Sequence, residues 1–133
     1  MEKILWNDDY CTGICEIDSQ HKKIVDQINV LIDNQDHKKK SSLNKEIIVM
    51  LDKYGNEHFA TEERYMRHYN YPGLEEHIKI HNSFKMNTVK TAVKVVKGKE
   101  YVPGETILFL KNWWSNHITK TDMAFKDYIR KNR

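Results

Sequence analysis

The sequence is short of residues that interrupt helices or staple small folds: 133 residues contain two prolines, five glycines and two cysteines. With so few breakers, long helical stretches and few turns are expected. Cys11 and Cys15 share one short stretch, CTGIC. A C-x3-C pair without a second pair neither completes a zinc site nor builds a disulfide framework. No apolar run nears the ~20 residues of a membrane span, and MEKILWNDDY lacks the apolar centre of a signal peptide. Charge of one sign is scarce too. The formal net charge is +3, and the lysines are scattered or sit in runs such as HKKK (37–40), which makes no nucleic-acid footprint. Strand signals are missing: the β-branched residues keep no period of two, and no Asn-Gly or Asp-Gly turn occurs. A soluble cytoplasmic protein of one domain is expected.

What is present is helical periodicity. Residues 1–17, with Trp6, Tyr10 and Gly13, have no helical period and read as an extended arm. Asp18 or Ser19 can cap a first helix with the stripe Ile24, Val25, Ile28, Leu31 and Ile32. After a polar loop, DNQDHKKKSS, a second stripe runs Leu43, Ile47, Met50, Leu51, Tyr54 and on through His58, Glu62 and Tyr65. HYNYPG breaks the chain. A third stripe follows from Leu74 through His77, Ile78, His81, Phe84, Ala92 and Val95 to Gly98, a suitable residue just past a helix end. After KEYVPG the fourth helix carries Ile107, Leu110, Trp114, His117, Phe125 and Tyr128. Short connections between such helices imply antiparallel neighbours. The expected fold is all-α: an up-down-up-down antiparallel four-helix bundle over 18–131 behind the arm, 1–17.

The histidines are unevenly placed. His58 to His81 holds four of the seven, with His58 and Glu62 four apart and His77 and His81 four apart, each pair on one helix face. In an antiparallel bundle His21, His58, Glu62, His77, His81, His117 and Asp122 fall within roughly two or three turns of one level. Six of them extend an apolar stripe and point inward. Asp122 is the exception: five residues past His117, it lies about 140° around an ideal helix. It must reach in from the flank, or the helix must widen locally as a π turn does. His37 and His68 sit in charged, loop-like stretches and read as solvated.

A single inward histidine is usually a hydrogen-bonded core residue. Five with a carboxylate at one depth would leave several buried polar groups competing for partners, each costing about 1–3 kcal/mol if unsatisfied. A metal resolves that competition. Five imidazoles and two carboxylates are too many donors for one ion and suit two octahedral ions sharing bridges. A nitrogen-rich set favours iron over magnesium or calcium, and zinc rarely uses so many ligands. Seven protein donors and one solvent bridge leave one coordination position open.

Four stretches, GICEIDSQHKK (13–23), HFATEE (58–63), YPGLEEHIKIH (71–81) and WWSNHITKTD (113–122), resemble the hemerythrins, in particular the single-domain bacterial ones. The likeness covers nearly the whole chain and includes the five-residue step from His117 to Asp122. It implies two iron ions with an oxo or hydroxo bridge. His77, His81 and His117 would hold one, His21 and His58 the other, with Glu62 and Asp122 bridging. It also implies dioxygen as the partner, bound reversibly for carriage, storage or sensing, with no catalytic residue. The competing class is a di-iron redox enzyme acting on peroxide or nitric oxide, or an iron buffer. Glu63 reads as facing water, so no spare acid–base group is visible for an enzyme. The expected pocket walls are Ile24, Phe59, Trp113 and Ile118, with Trp114 at a place where the family usually has leucine. Trp114 either narrows that pocket or turns away to pack near Trp6. With no large exposed apolar stripe left over, a monomer is expected.

Overall fold

In a computed structural model, residues 1–35, 41–97 and 102–132 are described, with positions 41, 95 and 96 described by backbone alone. The expectations for His37, the Val95 side chain, Gly98 and the first half of the KEYVPG loop lie outside what is described. The described elements are all helical, and they form the expected four-helix bundle.

Helix α1 spans Cys15–Asp33 and starts earlier than the expected cap at Asp18 or Ser19. Its N-cap is Ile14, which has no side-chain cap hydrogen bond. The physical reason lies in Ile14 and Ile17, which are buried and extend the apolar stripe by a turn. Asp18, freed from capping, accepts hydrogen bonds from Thr12 N–H (2.7 Å), Thr12 Oγ1 (2.9 Å) and Gly13 N–H (3.2 Å). It ties the arm down. The arm itself is not wholly extended, since Asp8–Tyr10 make a 3-10 turn capped by the Asn7 side chain. Asn29 fixes the arm's start by accepting from Ile4 N–H and donating to the Ile4 carbonyl.

Helix α2 (Ser41–His68) packs on both α1 and α3 (Leu74–Lys97). Its inward face differs from the expected stripe near its start: Leu43 and Met50 are exposed, and Asn44, Ile47, Ile48 and Leu51 are buried. Apolar type alone does not tell which of two adjacent faces meets the partner. Further exposed apolar residues are Val49 on α2, Met86, Val89 and Val93 on α3, and Leu108 and Phe109 on the fourth helix, so the surface carries more apolar area than the sequence suggests. That fourth rod runs without a break as α4 (Gly104–Asn116), a π turn (His117–Thr121) and α5 (Asp122–Asn132).

The core is in two parts. One apolar cluster joins Ile24, Ile28, Leu31, Ile47, Ile48, Leu51, Phe59, Phe84, Ile107, Leu110 and Trp114. A smaller one joins Ile14, Ile17, Met66, Phe125 and Ile129. Each fully buried Ile or Leu contributes about 1.5–3 kcal/mol by leaving water. Between the clusters, along every helix, lie the buried polar residues His21, His58, Glu62, His77, His81, His117 and Asp122.

Candidate metal centre

All seven residues singled out in the sequence converge in that layer. His21 lies on α1, His58 and Glu62 on α2, His77 and His81 on α3, and His117 and Asp122 flank the π turn. The awkward step to Asp122 is settled by the backbone. The N–H of Asp122 bonds the carbonyl of His117, five residues back, so the helix widens and both residues face inward.

Every imidazole presents Nε2 to the carboxylates. Glu62 Oε1 faces the Nε2 atoms of His58, His117 (3.2 Å) and His21 (3.5 Å). Its Oε2 faces those of His77 (2.9 Å) and His81 (3.4 Å). Asp122 Oδ2 lies 2.8 Å from His21, and Oδ1 lies 3.1 Å from His77 and 3.2 Å from His117. Each carboxylate therefore turns one oxygen toward the His21–His58 side and the other toward the side that holds His77. Two groups of donors emerge. His21, His58, Glu62, His117 and Asp122 have ligand atoms within 4.8 Å of one another, and so do Glu62, His77, His81 and His117.

Hydrogen bonds within the layer leave part of it unsatisfied. Nε2 of His21, His58 and His81 and Oδ2 of Asp122 are buried without a hydrogen-bond partner. Lone pairs aimed at a common interior, with orphaned donor atoms around it, are what a cation requires. The nitrogen-rich donor set fits iron.

Charge in the layer follows from the same geometry. Burial alone lowers the imidazole of His21, but the adjoining carboxylates of Asp122 and Glu62 outweigh it and raise it to about 9. His77 is raised to about 9 on the same balance. Burial wins at His58, which is lowered despite Glu62. Burial would raise Glu62, yet His58 and His117 hold it well below the usual carboxylate range. Asp122 is lowered as well. Burial and the charge of Glu62 push it up, and His117, His21 and His77 more than offset them.

Two neighbours of the layer were missed in reading the sequence. Gln20 Oε1 accepts from His58 Nδ1 at 2.9 Å, and Gln20 Nε2 donates to Thr61 Oγ1 at 3.0 Å. Glu63 does not face water as expected: its side chain is 14% exposed and Oε2 lies 3.1 Å from His81 Nδ1. The cause is packing. His81 stacks on Phe59 at 4.0 Å, and Glu63 stands one helical turn beyond Phe59 on the same face. That i,i+4 relation to a candidate wall residue was the available signal. His68, by contrast, is exposed as expected.

The candidate walls separate. Ile24, Phe59 and Trp114 belong to the larger apolar cluster, with Trp113 packed against it. Trp114 is 1% exposed and stacks on Phe59 at 5.4 Å with 10° between planes, and its ring lies against Gly55. Trp113 stacks on His117 at 4.7 Å and on Phe84 at 3.8 Å. Ile118 is buried outside that cluster and lines a small cavity under the arm with Ile4, Trp6 and Val25.

The comparisons agree with this architecture. The family model described as the hemerythrin HHE cation binding domain matches residues 12–129. A bacteriohemerythrin of Pseudomonas paraeruginosa is 37% identical over 130 residues, covering 98% of this chain and 84% of that one. A myohemerythrin of Riftia pachyptila is 29% identical over 122 residues, covering 92% of this chain and 90% of its own. Among solved structures, a leucine-to-alanine mutant of hemerythrin superposes with a TM-score of 0.85 at 26% identity, covering 96% of this chain and 98% of that one. Wild-type hemerythrin superposes with a TM-score of 0.83 at the same identity, covering 93% and 95%. With a bundle, a buried histidine–carboxylate layer and a family match over nearly all its length, the chain belongs to the hemerythrin family.

Proposed function

We propose that the chain binds dioxygen reversibly at a di-iron centre held by His21, His58, Glu62, His77, His81, His117 and Asp122. The observation that carries this reading is the division of each carboxylate between two sets of Nε2 atoms, which suits two ions rather than one. Two ferrous ions would supply the two electrons that reversible dioxygen binding borrows. Glu62 and Asp122 would bridge them and offset half their charge. Neutral imidazoles favour high-valent iron less than carboxylates do, so release of intact dioxygen is favoured over cleavage.

The chain's own residues set the surroundings. Phe59, Trp113, Trp114 and Ile24 make the walls apolar, which excludes bulk water and the protons that would drive oxidised iron toward peroxide loss. Gln20 and Glu63 hold two imidazoles with Nδ1–H outward and Nε2 inward. Glu63 is thus engaged and not free as an acid–base group, which favours binding over turnover. The same reading places the protein in the cytoplasm as a monomer of one hemerythrin-like domain. No helix among the described residues is long and apolar enough to cross a membrane.

Anaerobic loading with ferrous iron, followed by cycles of oxygen and argon, tests the proposal. Two irons per chain and a visible charge-transfer band that appears and vanishes reversibly are expected. Irreversible oxidation with peroxide release would favour the redox-enzyme alternative, and fewer than two irons would sink the di-iron centre itself.

A further inference from the structure

The two imidazoles with polar partners are backed by groups of different charge, and they belong to different sides of the layer. His81 faces Glu62 Oε2 and is backed by the carboxylate of Glu63. His58 faces Glu62 Oε1 and is backed by the amide of Gln20. The orientation of that amide is forced. Thr61 Oγ1 donates its only proton to the Glu57 carbonyl at 2.9 Å, so it can only accept from Gln20 Nε2. The neutral oxygen of Gln20 is therefore the atom left for His58. Nδ1 of His21 and of His117 is buried without a partner, so neither provides a compensating anion.

A carboxylate that accepts an imidazole N–H makes the ring a stronger donor and adds a full negative charge nearby. A carboxamide does the first weakly and the second not at all. Glu63 therefore acts on one ion position and has no counterpart on the other.

We propose that Glu63 and Gln20 are positioning residues that make the two ion positions electronically unequal. The position on the His77–His81 side loses an electron first and holds its ion more tightly. The His21–His58 side stays ferrous longer and empties sooner. This rests on the di-iron reading above. It goes further in saying which half yields the first electron and which residues outside the ligand set decide it.

The test uses the full chain loaded anaerobically and shown to hold two irons; failure at that stage defeats the di-iron reading, not this one. Ferricyanide then removes one electron per step, each oxidising one ferrous ion to ferric and itself becoming ferrocyanide. Both steps are followed spectroscopically against potential. E63Q is nearly isosteric. It is expected to make the first oxidation about tenfold less favourable, about 59 mV for one electron, and to leave the second nearly unmoved. Q20E is expected to move the second step the other way, so each single variant narrows the gap and the double swap reopens it. With a competing chelator, E63Q should hold its second iron, the one on the His77–His81 side, about 10- to 100-fold less tightly and leave the first to depart as before. Should E63Q leave both potentials and chelation unchanged, or shift both steps equally, the inequality does not come from Glu63. E63A serves as a second variant, expected to act in the same direction as E63Q.

Discussion

Gly55 sits against the indole of Trp114: a Cβ at position 55 would stand 3.3 Å from Cζ2 of that ring. Because Trp114 is stacked on Phe59 on another side, the indole has little freedom to give way. In a helix interior, alanine normally gains about 0.5–1 kcal/mol over glycine. At this position the gain should be cancelled or reversed. In a W114L background, G55A should recover the ordinary stabilisation. Urea unfolding of the four members of this double-mutant cycle measures the coupling; G55A that stabilises the parent protein by the full amount would refute the steric account.

Metal-free protein should lose stability as pH rises. His21 and His77 are raised to about 9 from an ordinary value near 6.5. A group whose folded value is raised contributes fully below its unfolded value and loses that contribution as pH climbs through its folded value. The decline should therefore run from about 6.5 through 9. Glu62 and Asp122 are lowered, so their contribution is present above the ordinary carboxylate range and is lost in acid as pH falls through their folded values. Because metal must displace the protons on His21 and His77, loading should release protons and tighten as pH rises toward 9. Thermal melts across pH with and without metal, and proton release in weakly buffered solution, check both statements.

Deleting Lys120, exposed within the π turn, should remove its extra residue and close it to an ordinary α-helix in which Asp122 follows His117 by four positions and still faces the same way. Metal stoichiometry should survive that deletion. Inserting one alanine after Lys120 instead turns the following residues by about 100° and carries Asp122, Phe125 and Ile129 out of the interior together. Metal stoichiometry below two per chain and a large fall in the urea midpoint are expected of the insertion, whereas K120A should change neither.

D18A should loosen the arm without touching the metal layer. Asp18 accepts three hydrogen bonds from Thr12 and Gly13. Losing them should cost about 1–3 kcal/mol, with faster amide exchange over residues 1–14 and unchanged iron stoichiometry. Altered stoichiometry would mean that the arm supports the layer more directly than these contacts imply.

The layer was legible in the sequence because its signals are local. His58 with Glu62, and His77 with His81, each repeat at one helical turn, and each extends an apolar stripe. The fold followed from the same period. What was hidden depends on rotation between helices. Leu43 and Met50 read as inward and face out, because a stripe's edge is set by the partner helix and not by residue type. Glu63 was placed in water because carboxylates usually belong there; only the seating of His81 over Phe59 brings them together. Gln20 and Gly55 carry no sequence signal for their roles, since one is an ordinary polar residue on a helix and the other an apparent weakness in one.

The polar layer lies between two separate apolar clusters, and this shapes how the protein comes apart. Neither cluster reaches the other except through buried charges that attract a cation and tolerate little else. Without metal, each end can open by itself, with the smaller cluster around Ile17, Met66 and Phe125 opening first. Metal held by the proposed ligands would cross-link four helices at mid-height and oblige the ends to unfold together. The ions would thus set the cooperativity of the whole chain, and a cell short of iron would hold a protein that is folded in parts rather than as a unit.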